Sequence, residues 1–106
     1  MYNHGSSPAL SHCTFEDNSA GLGGGMHNTE SSAPTLTECT FAGNSASYGG
    51  GLSDYYSSPV LTGCTFSGNS ASWGGGIYNN YYSSPDLAGC TFVGNSTSYD
   101  GAGMYN

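Results

Sequence analysis

The chain has 106 residues, enough for one domain, and 36% hydrophobic residues against 18 glycines leave material for only a thin apolar core. It carries no lysine or arginine beside seven acidic residues, a net charge of −7. That balance sets aside nucleic acid and bare anionic membranes as partners, because both are held by basic side chains. No segment approaches the apolar length of a membrane span, and the opening MYNHGSSPAL has neither the basic nor the apolar region of an export signal. The abundance of Ser, Thr, Asn, Gly and Tyr suits an extracellular or cell-surface location.

In chain order, an opening Met1-Tyr2-Asn3 leads through Ser6, Ser7 and a proline to Leu10, then to Cys13-Thr14-Phe15, Asn18-Ser19 and the glycines 23–25. The same series returns three more times. Leu10, Leu36, Leu61 and Leu87 stand three residues before Cys13, Cys39, Cys64 and Cys90. Each cysteine opens a CTFxxNS motif that contains Phe15, Phe41, Phe66 or Phe92 and Asn18, Asn44, Asn69 or Asn95. The glycine runs recur at 23–25, 49–51 and 74–76, and the fourth copy reads Gly101-Ala102-Gly103. An apolar residue follows each run: Met26, Leu52, Ile77 and Met104, with Met1 in the same column.

These periods divide the chain into turns at 1–25, 26–51, 52–76 and 77–103, with 104–106 opening a fifth, all within a single domain or a window of a longer array. Turn-to-turn insertions, such as Ala33 and Asp100, fall at corners, as a solenoid allows. No segment has the apolar periodicity of a helix, and glycine interrupts every long window. The expected fold is therefore all-β: a right-handed parallel β-helix of about four turns of 25–27 residues, with three short strands per turn. The strands fall at the Met/Leu/Ile segment, at the leucine and at Cys-Thr-Phe. The Ser-Ser-Pro corner, the dipeptide before Cys and the arc from Asn-Ser to the glycines connect them.

FEDN, FAGN, FSGN and FVGN resemble the FxxN half of the polymorphic outer-membrane-protein repeat, and GGGM, GGGL and GGGI approximate its GGA[ILV] half. The resemblance covers essentially the whole chain. It implies the right-handed β-helix of bacterial surface adhesins, autotransporter passengers and secreted repeat proteins.

Stacked turns place equivalent residues in ladders about 4.8 Å apart. Cys, Phe, Leu and Asn then form inward columns, with Thr14, Thr40, Thr65 and Thr91 facing out. The cysteine spacing lacks any CxxC, so a line of free thiols is favoured over axial disulfides or zinc. A serine that recurs in every turn, at Ser19, Ser45, Ser70 and Ser96, is structural rather than nucleophilic. His4, His12 and His27 share no column, and the glycine runs lack the lysine and helix of a phosphate loop. Glu30, Asp54, Asp86 and Asp100 are acids at loops without the spacing of a calcium loop. No catalytic residue, metal or cofactor is expected. The Arg or Lys base of β-helix polysaccharide lyases and the clustered aspartates of the related hydrolases are not evident.

Candidate contact residues lie on the outside. Trp73, Tyr55, Tyr56, Tyr81 and Tyr82 present rings at loops, as do Tyr48 and Tyr99. The hydroxyl pairs Ser6-Ser7, Ser31-Ser32, Ser57-Ser58 and Ser83-Ser84 form a stripe suited to O-glycans. The sequon Asn95-Ser96-Thr97 falls on the inward Asn column, which argues against its use. The expected function is an extracellular structural or adhesive solenoid whose partner is itself, stacked end to end through open strand edges, or a glycan or host surface. A carbohydrate-binding or ice-binding module is the alternative, and a polysaccharide-degrading enzyme ranks third.

Overall fold

The computed structural model describes residues 1–106 and contains seventeen strands and no helix. The first turn comprises β1 (Tyr2–His4), β2 (Ala9–Ser11), β3 (Thr14–Glu16) and β4 (Ser19–Leu22). The second comprises β5 (Met26–Thr29), β6 (Thr35–Thr37), β7 (Thr40–Ala42) and β8 (Ser45–Tyr48). In the third are β9 (Leu52–Tyr55), β10 (Val60–Thr62), β11 (Thr65–Ser67) and β12 (Ser70–Trp73). The fourth holds β13 (Ile77–Asn80), β14 (Asp86–Ala88), β15 (Thr91–Val93) and β16 (Ser96–Thr97), and β17 (Met104–Tyr105) starts the next.

Every pairing is parallel and joins equivalent strands of successive turns. The outcome is one five-stranded sheet, β1-β5-β9-β13-β17, and three four-stranded sheets that wrap the same axis. The chain is thus a β-solenoid of about four turns. The arc from Asn-Ser to the glycines, expected to be a connection, carries a fourth short strand in each turn. Its segments SAGL, SASY and SASW lack apolar alternation, yet Ser19 pairs with Ser45 and Ser45 with Ser70, because the stacked turns on either side fix their register.

The core is one file of side chains. Met26, Leu36, Cys39, Phe41, Leu52, Leu61, Cys64, Phe66 and Ile77 form a cluster with no exposure, and Leu10, Cys13, Phe15, Leu87, Cys90, Phe92 and Met104 pack against it at the two ends. The Phe rings stack face to face at 4.7, 4.7 and 5.0 Å with interplanar angles of 8°, 2° and 6°. This spacing is that of the backbone ladder, so ring stacking and strand pairing reinforce one register.

Three different constraints explain the glycine triplet. At Gly49 the backbone takes φ +67°, in the left-handed region. A Cβ on Gly50 would lie 2.4 Å from the Gly75 carbonyl oxygen of the next turn, and one on Gly51 would lie 2.7 Å from the Phe66 ring. The middle position therefore has no room for a Cβ beneath a stacked turn. Ala102 stands at the equivalent position of the fourth repeat and is exposed.

Candidate functional site

Two polar ladders run inside the solenoid. In the first, Asn18 Nδ2 donates to Asn44 Oδ1 at 3.1 Å, Asn44 Nδ2 to Asn69 Oδ1 at 3.0 Å, and Asn69 Nδ2 to Asn95 Oδ1 at 3.0 Å. The same oxygens accept the backbone N–H of the preceding rung, at 3.0 Å in each case. Second amide hydrogens of Asn44, Asn69 and Asn95 reach the Phe15, Phe41 and Phe66 carbonyls at 2.8–2.9 Å. Each asparagine thus caps a bend where the ladder of backbone bonds is interrupted, which is why an amide, both donor and acceptor, recurs here. Asn95, the sequon residue, has its side-chain oxygen and nitrogen both engaged.

Sequence reasoning missed the second ladder: Asn3, Asn28, Asp54, Asn79 and Asn106, on the inner face of the five-stranded sheet. Asn3 Nδ2 donates to Asn28 Oδ1 at 2.7 Å, Asn28 Nδ2 to Asp54 Oδ1 at 2.8 Å, and Asn79 Nδ2 to Asn106 Oδ1 at 2.5 Å. The link between Asp54 and Asn79, which pair in register, has no donor: Asp54 Oδ2 and Asn79 Oδ1 are both buried acceptors without a partner. Burial pushes the Asp54 carboxyl up to about 7, against a smaller downward pull from the Asn28 hydrogen bond. A proton on Oδ2 would supply the donor that this link lacks. Asp54 is therefore not a loop acid available to calcium. It sits in β9 with no exposure, placed inward by strand alternation from Leu52.

The four cysteines are free thiols. Cys39, Cys64 and Cys90 each donate to a leucine carbonyl of the preceding turn, at 3.7, 3.5 and 3.5 Å. Burial pushes the Cys64 thiol up to about 11, so it behaves as a small core residue rather than a nucleophile.

The serine stripe divides. Ser32 and Ser57 are 0% and 2% exposed, which corrects their assignment to the surface. Ser32 Oγ donates to the Thr29 carbonyl at 2.6 Å and accepts the Ser6 N–H at 3.2 Å, and Ser57 Oγ donates to the Tyr55 carbonyl at 3.2 Å. Half-buried Ser83 repeats this pattern with Asn80 and Ser57. Ser6, Ser7, Ser31, Ser58 and Ser84 remain exposed.

Apart from Tyr2, which stacks on His27, the outer aromatic residues form two groups. Trp73 stacks on Tyr99 at 4.9 Å and meets the edge of Tyr105, which stacks on Tyr78 at 5.3 Å, and Tyr48 leans on Tyr78 at 5.1 Å. Tyr55, Tyr56, Tyr81 and Tyr82 form the second group at the neighbouring corner, with centroids 4.8–6.2 Å apart. Trp73 is consequently half-buried among rings rather than standing free. Between the groups lies a cleft of about 330 Å³. Of the histidines, only His27 borders it. His12 instead pairs with Glu38 at 2.8 Å on the surface.

The parallel solenoid places this chain among the β-helix proteins. Over residues 1–106 it matches the family described as right handed beta helix region, and it belongs to that family. The family includes polysaccharide-degrading enzymes and proteins without catalytic activity. No curated protein and no solved structure matches the chain.

Proposed function

We propose that the chain is a non-catalytic, extracellular structural and adhesive β-solenoid that associates end to end with copies of itself. One observation carries this reading: equivalent strands of successive turns pair in parallel register through the same columns, so the strand edges of one copy are complementary to those of another. The resemblance of the FxxN and GGG[MLI] motifs to the polymorphic outer-membrane-protein repeat supports an adhesive role, and the exposed serines would carry any O-glycans.

Ala102 makes this association measurable. Its methyl occupies the position where a Cβ on Gly75 would lie 2.5–2.6 Å from carbonyl oxygens of the following turn, so a turn added on that end must shift. The test is sedimentation and electron microscopy of the purified protein and of Ala102→Gly over a range of concentrations. The expected result is end-to-end assemblies with an axial repeat of about 4.8 Å, more abundant for Ala102→Gly. Monomers throughout for both proteins would overturn the proposal.

A second reading, a carbohydrate-binding module, is favoured by the stacked Trp73 and Tyr99 rings. Aromatic faces of this kind bind the apolar faces of sugars, and glycan-array binding that depends on Trp73 would establish it.

A further inference from the structure

The outward residues at the second position of the five-stranded sheet form the column Tyr2, His27, Ser53, Tyr78, Tyr105. Four of the five are rings, and Tyr2 stacks on His27 at 5.6 Å as Tyr78 does on Tyr105 at 5.3 Å. Ser53 interrupts the column. It is 2% exposed although it faces outward, because neighbouring side chains cover it, with His27 Nδ1 3.1 Å from its carbonyl oxygen; it borders a cleft whose walls include His27, Tyr48, Tyr55 and Tyr78. The flanking rings, His27 and Tyr78, stand two turns apart, about 9.6 Å on the strand spacing, so the rung between them carries no ring and the cleft opens beside it.

The chemistry of the walls selects among flat groups. His27 Nδ1 lies 3.1 Å from the Ser53 carbonyl oxygen. A carbonyl only accepts, so Nδ1 carries the hydrogen and Nε2 is left as an acceptor. Burial lowers the His27 pKa, against a smaller upward pull from that hydrogen bond, so the ring adds no charge at neutral pH. Tyr48, Tyr55 and Tyr78 offer electron-rich faces. Asn80 at the rim has its Oδ1 engaged by the Tyr81 N–H. The chain as a whole is at −7 with no basic side chain, so its field attracts cations and repels carboxylates.

We infer that the Ser53 gap is a binding site for an arginine guanidinium presented by a partner polypeptide, stacked between His27 and Tyr78 and walled by Tyr48 and Tyr55. A guanidinium is flat, permanently charged and weakly hydrated, and it stacks on aromatic faces while its edge N–H groups donate to acceptors such as His27 Nε2. The site does not depend on end-to-end stacking.

The test titrates the purified protein with acetyl-Gly-Arg-Gly-amide, its lysine and tyrosine counterparts, and cellotetraose, following ring signals of Tyr78 and His27 by NMR. The arginine peptide is expected to bind about tenfold tighter than either counterpart. Ser53→Tyr, which brings a ring into the cleft, should abolish binding while the folded circular-dichroism spectrum is retained. Ser53→Ala should retain most of it, and Tyr78→Leu should weaken it several-fold. Undiminished binding to Ser53→Tyr, tighter binding of the tyrosine peptide or cellotetraose, or no binding of the arginine peptide would each overturn the assignment.

Discussion

Replacing Asp54 by asparagine tests the interior electrostatics most sharply. An aspartate titrates near 3.8 when exposed, and burial in the second ladder pushes Asp54 up to about 7. Well below 3.8 the carboxyl is neutral in both folded and unfolded chains and costs nothing. As pH rises, the unfolded chain ionises first, so stability falls by about 1.4 kcal/mol per pH unit until the folded group also ionises near 7. By pH 7 the loss is about 4 kcal/mol, a large fraction of the stability of a domain this size. Asp54→Asn lacks the titration and keeps a donor for Asn79 Oδ1. Urea unfolding of both proteins at pH 3, 5.5, 7 and 8 should show near-equal stability at pH 3 and an advantage for the variant that grows to about 4 kcal/mol by pH 7. The other carboxylates cancel in the comparison. A difference that does not change with pH, or a variant less stable at pH 8, would refute the proton on Oδ2.

Other consequences follow from the ladders. Asn69→Ala removes the acceptor for the Asn44 side chain and backbone and the donor to the Phe41 carbonyl; equilibrium unfolding should show a loss of about 3 kcal/mol or more. Gly50→Ala drives a Cβ to 2.4 Å from a backbone oxygen and should abolish the folded circular-dichroism signature. Gly63→Ala meets only a side-chain carbon at 3.4 Å, so it should cost about 1 kcal/mol, for its left-handed backbone alone. Thiol labelling of the native protein should modify half-buried Cys13 and Cys90 well before buried Cys39 and Cys64, and equal rates for all four would contradict the packed thiol file.

The fold was legible because its evidence is periodic. The Leu, Cys, Phe and Asn columns and the glycine triplets fix turn length, strand direction and register together. The second ladder carried the same signal more faintly: Asn3, Asn28, Asp54, Asn79 and Asn106 recur at 25 to 27 residues, each two positions after an apolar inward residue. Asp54 disguised the column, since a carboxylate looks like a surface group until its rung is known. The burial of Ser32 and Ser57 was not legible, because adjacent serines at a corner differ only in which way the turn rotates them. Nor was the Ser53 gap, which exists only as a missing ring between His27 and Tyr78 and appears once the outward column is assembled.

The most direct test of the account is a set of nuclear Overhauser contacts in labelled protein, read between the side chains of the two classes of rung. In-register parallel turns predict cross-peaks from Phe15 to Phe41, Phe41 to Phe66 and Phe66 to Phe92, and between the side-chain amides of Asn18, Asn44, Asn69 and Asn95 in the same order, with none between rungs two turns apart. Cross-peaks that skip a rung, or that pair each Phe with a residue outside its own column, would contradict the laddered solenoid.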